Sequence, residues 1–190
     1  MRAVNPRLRR SGLTLIELLF AVTLAVLLLA LAVPSFGNIL NRNRMLVQSN
    51  NLLLSLMTAR STAVLHREMV HVCRLDQDKS PACDDNYEAY RNWSHGWMIF
   101  MDLDRDNEFS EGDELVYQFA GSEQITMVFN QRGRLRFFPN GGSRSAGFTL
   151  CDSARQDYRH IYIFHSGRTR IKQTASPHMR SKCDAATDLE

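Results

Sequence analysis

A short basic leader running into an apolar stretch that carries one acid constrains this chain more than any other feature. Residues 9–36 read RRSGLTLIELLFAVTLAVLLLALAVPSF. Arg2, Arg7, Arg9 and Arg10 precede Gly12, with no acid among the first twelve residues. A basic flank before an apolar run marks a segment that meets a membrane with that flank inside. The uncharged run from Leu18 to Phe36 is 19 residues long, close to the ~20 that a helix needs to span a bilayer. Glu17 lies just ahead of it. A carboxylate in lipid costs about 2.5 kcal/mol or more, and a buried charge is tolerable when paired and destabilising when alone. A plain secretory signal is the competing reading, with Ala30-Leu31-Ala32 as a small-x-small cleavage site. The Gly12–Glu17 junction, however, precedes the apolar run, where ordinary signal peptidase does not act.

That junction, Gly12-Leu13-Thr14-Leu15-Ile16-Glu17, resembles the class III signal of type IV pilins and type II secretion pseudopilins. The resemblance implies that a prepilin peptidase cuts after Gly12 and N-methylates Leu13, where the family usually carries Phe or Met. It also implies that Glu17, the fifth mature residue, meets the free amine of a neighbouring subunit and sets its register in a filament. On this reading residues 1–12 are a leader and 13–36 a transmembrane and filament-core helix. Residues 37–67 continue that helix amphipathically, and 68–190 form a β-rich head. The subunit would sit in the inner membrane with a periplasmic head, then enter the pilus at the cell surface.

The pattern beyond residue 36 supports a long helix to about Arg67. Leu46, Leu53, Met57 and Val64 fall on one stripe, expected to pack against a sheet. Short strand-like segments follow: Met69 to Leu75, which alternates with Val70 and Val72 on one side, then Gly96 to Met101, Glu114 to Phe119, Ile125 to Phe129, Arg134 to Phe138, Gly147 to Cys151, Tyr158 to Phe164 and Arg168 to Lys172. Turn chemistry divides them at 131–133, 139–142 and Ser166-Gly167. A helix followed by antiparallel strands predicts an α+β fold.

Three further blocks extend the resemblance. Trp93 to Phe100 with its acidic turn, Phe137 to Gly142 followed by Gly147 to Cys151, and Ile161 to Arg170 resemble successive blocks of the GspH/FimT family of minor pilins. The chain is most like the FimT-type members. The family's type IV pilin fold, a long N-terminal helix on two antiparallel sheets, is therefore expected here.

Four cysteines in an exported chain suggest disulfides, with three pairings open. Cys73–Cys83 and Cys151–Cys183 are favoured, because each staples a loop or tail to a predicted strand. A zinc site is the rival, but no CxxC pair is present.

Charge is unevenly spread. The formal net charge is +3, and without the four leader arginines it is −1. From Asp76 to Glu123 there are 13 acids and 3 bases, whereas Gln131 to Lys182 holds 11 bases and 2 acids. In the acidic part, Asp102, Asp104, Asp106 and Asp113 fall at positions 1, 3, 5 and 12 of a calcium loop. Asn107 replaces the usual glycine, Asp113 is short for bidentate reach, and strands rather than helices flank the loop. No metal or other cofactor is expected, and a solvated hairpin accounts for the acids.

In the basic part, Arg168, Arg170 and Lys172 would share one face of a strand, as would Arg134 and Arg136 in an earlier one. Arg180 and Lys182 lie in the tail that Cys183 would pin. Such a cluster is an electrostatic footprint for phosphates, and a solvated face or a patch for the next pilin's acids is the alternative. Gly167-Arg168-Thr169-Arg170 resembles the Gly-Arg-x-Arg motif that FimT-type pilins of naturally competent bacteria use in DNA uptake. The resemblance covers Gly167, Arg168 and Arg170; Lys172, Arg180, Lys182, Arg134 and Arg136 are added on charge and spacing. Tyr158, Tyr162 and Phe164 alternate as core residues do and are read as packing rather than as a stacking surface for single strands.

His160, His165 and His178 have neither a carboxylate partner nor a nucleophile at motif spacing, and Ser166 lacks the GxSxG context, so no enzymatic activity is expected. The expected function is that of a minor pilin binding DNA for natural transformation. Its partners would be other major and minor pilins, prepilin peptidase, the inner membrane and DNA. The alternatives are a FimU-like minor pilin that primes assembly without nucleic acid, and a GspH-like pseudopilin of a type II secretion system.

Overall fold

A computed structural model describes residues 14–79, 81–84, 92–122, 124–152, 157–174 and 176–187, with side chains 31–42, 184 and 187 excepted. Gly12 and Leu13 lie outside these residues. The chain divides into two compact units, Met1–Arg42 and Asn43–Glu190.

Helix α1 runs Leu15–His66. It begins where Thr14 Oγ1 accepts a hydrogen bond from the Glu17 amide at 3.3 Å, an N-cap followed three residues later by Glu. Glu17 thus occupies the first turn, where the helix dipole favours an anion. The apolar side chains from Leu15 to Leu29 are exposed. Among the described residues no helix is long and apolar enough to cross a membrane. The uncharged run expected to do so extends to Phe36, into side chains outside those described.

In the second unit, α1 buries Met45, Ser49, Leu52, Leu56, Ala59 and Ala63, a stripe of alternating four- and three-residue steps. This corrects the expected stripe, which lies one position away. Leu46, Met57 and Val64 are exposed and Leu53 is only partly buried. The buried row mixes Met45, Leu52 and Leu56 with Ser49, Ala59 and Ala63, and a reading weighted toward large side chains selects the neighbouring row. Arg67, at φ 59°, ends the helix and turns the chain into the first strand.

The strands are β1 Met69–Arg74, β2 Gly96–Asp102, β3 Glu114–Ala120, β4 Thr126–Phe129, β5 Leu135–Phe137, β6 Ala146–Asp152, β7 Asp157–Ile163 and β8 Thr169–Lys172. They form two four-stranded antiparallel sheets, in the orders β3-β2-β1-β5 and β4-β6-β7-β8. The α+β arrangement is the expected one. Trp93, Phe129 and Phe148 pack together, with Trp93 edge-on to Phe148 at 5.0 Å and Phe129 stacked on Phe148 at 4.4 Å. They join the buried stripe of α1 in one core.

A second helix, α2 Pro177–Thr187, is absent from the sequence expectation. Its start carries a usable signal: Ser176 at the cap, whose carbonyl accepts from Met179 and Arg180, then Pro177 at the first helical position. The disulfides are Cys73–Cys83 and Cys151–Cys183, with Cα atoms 5.6 and 6.2 Å apart, as favoured from the sequence. The second ties α2 to β6, and Cys183 packs with Val128, Cys151 and Tyr158.

Candidate nucleic-acid interface

Strand β8 is an edge strand whose residues alternate between half-buried and exposed. Thr169 and Ile171 pair with Ile163 and Ile161 on the core side. Arg170 and Lys172 therefore project from the opposite face, and both are exposed. Register places Lys172 across from His160 and Arg170 across from Tyr162. One step further, the Phe164 amide donates to the Arg168 carbonyl at 2.9 Å, and alternation continues both residues along the same outer row. The result is a row of three cations, Arg168, Arg170 and Lys172, beside a row of three rings, Phe164, Tyr162 and His160.

The hairpin at its end explains the motif glycine. His165, Ser166 and Gly167 form a three-residue connection with Gly167 at φ 72°, the left-handed position such loops require. A Cβ there would also collide with the Gly141 carbonyl oxygen. Gly167 has no side chain to offer a ligand; it sets the turn from which Arg168 and Arg170 emerge.

Covering part of the same face, α2 brings Arg180 over the Tyr158 ring at 5.0 Å, a cation–π contact. Lys182 is half-buried on this helix. His160 is buried, its Nδ1 lies 2.9 Å from Thr149 Oγ1, and burial lowers its pKa to about 4. It is neutral at pH 7 and adds no charge beside Lys172. Tyr158 is buried and Tyr162 half-buried. Phe164, expected to be packed, is 47% exposed: it lies beyond the end of β7, where the core no longer covers the row.

Arg134 and Arg136 sit apart from this group, at the start of and within β5, on the other sheet. Arg136 Nη1 donates to Asn107 Oδ1 at 3.1 Å, and Arg134 donates to the Asn107 carbonyl. With Arg74, Arg132 and Arg144 they line a cleft of about 490 Å³ shared with Asp84, Asp106 and Glu108. On its wall, His71 is buried with Nε2 3.1 Å from Asp102 Oδ2, though without hydrogen-bond geometry. Burial lowers its pKa to about 4; Asp102 opposes the shift, and Arg134 and Arg136 add to it.

The carboxylates of Asp102, Asp104, Asp106 and Asp113 do converge, with oxygens within 4.8 Å of one another. The same oxygens fold the loop. Asp102 accepts from the amides of Arg105 and Asn107 at 2.7 and 3.2 Å. Asp113 accepts from those of Leu103 and Ser110, both at 2.9 Å. Arg105 and Asn107 adopt φ 65° and 66°. These bonds account for the acids as turn-formers.

Residues 48–167 match the family described as type II transport protein GspH. The chain belongs to the GspH family. Among solved structures, the type IV minor pilin FimU of Pseudomonas aeruginosa PAO1 is 20% identical with a TM-score of 0.51, over 70% of this chain and 90% of that one. The chain therefore has the fold of FimU, a type IV pilin fold. The minor pseudopilin EpsH from the type 2 secretion system of Vibrio cholerae aligns at 12% identity and TM-score 0.47, over 68% of this chain and 97% of that one. No curated protein matches. The GspH match stops at Gly167, so every cation of the β8 row and of α2 lies beyond it.

Proposed function

We propose that this chain is a minor type IV pilin that binds DNA through its basic C-terminal region, for uptake in natural transformation. Membership of the GspH family makes it a pilin- or pseudopilin-type structural subunit, not an enzyme. The DNA reading rests on one observation above the rest: Arg168, just ahead of edge strand β8, and Arg170 and Lys172 within it are exposed in a row, a spacing suited to successive backbone phosphates. Arg180 and Lys182 flank the row from α2. Contacts to phosphates are tolerant of sequence and sensitive to salt, as uptake of arbitrary DNA requires. Arg134 and Arg136, bound to the acidic hairpin on the other sheet, play a secondary part at most in this reading.

In the same reading, prepilin peptidase removes residues 1–12, Leu13 is N-methylated, and residues 13–36 anchor the subunit in the inner membrane. Glu17 then pairs with a neighbouring pilin as the subunit enters the filament with its head outward.

The test is a salt series of duplex DNA binding by the full chain in detergent. The log–log slope should fall by about 0.9 for each phosphate that is no longer neutralised, so Arg168→Ala with Arg170→Ala should flatten it by nearly two. An unchanged slope and affinity would remove the DNA reading and leave a structural subunit that helps assemble a pilus or pseudopilus.

A further inference from the structure

The outer face of the second sheet carries more than charge. Its cations alternate, across one strand pairing, with rings: Arg168 beside Phe164, Arg170 opposite Tyr162 and Lys172 opposite His160. Directly opposed residues stand about 4.5–5.5 Å apart at Cβ, and successive pairs are about 6.6–6.8 Å apart along the strand. Each ring residue therefore has a basic residue as its cross-strand neighbour.

The rings are not equivalent. Tyr158 is closed off by Arg180 and α2. His160 is buried, edge-on to Tyr162 at 4.2 Å. That contact holds the Tyr162 ring while leaving Tyr162 half-buried rather than closed off. Phe164 is 47% exposed and makes no ring contact among the described residues. The open part of the face thus offers two ring positions, one fixed by a neighbour and one free, flanked by three cations.

A duplex could use only the cations, because its bases are stacked on each other and present no open faces. An unpaired strand could use both rows, placing bases on rings and phosphates on the cations. We propose that this face is a platform for single-stranded nucleic acid, with Phe164 and Tyr162 as base-stacking positions beside Arg168, Arg170 and Lys172. The proposal rests on the DNA-binding reading above and refines its substrate to the unpaired form.

The experiment compares a short oligo(dT) with a duplex of equal length, by fluorescence anisotropy on the full chain in detergent at one fixed salt concentration. Oligo(dT) should bind more tightly than the duplex. Phe164→Leu keeps an apolar side chain but removes the ring; it should weaken oligo(dT) binding about 5- to 150-fold, the range for loss of one stacked base, and leave duplex binding unchanged. Phe164→Tyr should restore oligo(dT) binding, which a merely structural role for the position would not predict in this substrate-selective way. Equal loss for both substrates, no loss for either, or a preference for the duplex would overturn the platform. If the duplex still binds in a salt- and Arg168-dependent manner in those cases, the general DNA reading survives. If neither substrate binds, both fail together.

Discussion

Arg60 Nε donates a hydrogen bond to the Gly141 carbonyl oxygen at 3.0 Å, tying α1 to the loop against which Gly167 lies. The bond spans 81 positions in sequence and joins the helix to the hairpin that displays the cations. Arg60→Met keeps most of the stem and removes the donor, leaving a carbonyl without its partner. The expected cost is about 1–3 kcal/mol, measured by chemical denaturation. On the proposed DNA reading, affinity should fall less than with Arg168→Ala, since Arg168, Arg170 and Lys172 are all kept.

Gly167→Ala tests whether the motif glycine is structural. The left-handed conformation alone costs an L-residue roughly 1–2 kcal/mol, and the collision with Gly141 adds to it. The melting temperature should drop by several degrees, at about 2–4 °C per kcal/mol for a chain of this size. On the proposed DNA reading, binding should weaken although both arginines remain, because their turn has shifted.

The buried row of α1 gives a paired prediction. Ala63→Leu forces a larger side chain into a closed seam and should destabilise by about 1–3 kcal/mol. Val64→Ala, one position on and exposed, should change stability by less than about 0.5 kcal/mol. The opposite ranking would restore the stripe expected from hydropathy.

Acid should weaken the head. His71 and His160 have pKa values lowered to about 4 in the folded chain, against about 6.5 when unfolded. Between those values the unfolded chain binds more protons, so stability is full above about pH 6.5 and falls as pH drops toward 4. The slope should reach about 1.4 kcal/mol per pH unit for each histidine. His160→Gln should remove one of the two contributions, seen in urea midpoints collected across this window.

Opening Cys151–Cys183 frees a loop with a sequence separation of 32. The Cys151→Ser, Cys183→Ser variant should lose roughly 3–4 kcal/mol on loop entropy. Amide exchange should rise first in α2. On the proposed DNA reading, affinity should fall modestly as Arg180 and Lys182 lose their fixed places, with the β8 row intact.

Much of the architecture was legible in the sequence because it is written in large residues and turns. Short segments between turn residues marked every strand, and Ser166-Gly167 marked the β7–β8 hairpin. The disulfide pairs followed from tying loose segments to strands. What was hidden has common physical causes. The seam of α1 uses Ser49, Ala59 and Ala63, which carry little hydropathy signal. Helix α2 is short and polar, and one disulfide and a little packing hold it rather than an apolar face. Arg134 and Arg136 resemble the β8 cations in sequence, yet the chain crosses from β4 in one sheet to β5 in the other before returning to β6. Phe164 continues the alternation of a core strand past the point where the core ends.

The narrow seam of α1 has one further effect. Because Ser49, Ala59 and Ala63 take half of its positions, several of the helix's bulky residues stay outside the head. Leu54, Met57, Val64 and Leu65 remain outside, all at least 49% exposed. One helix therefore folds the head along one line and leaves an oily flank outside it along another. A substitution on that flank changes the surface of the helix without loosening the head.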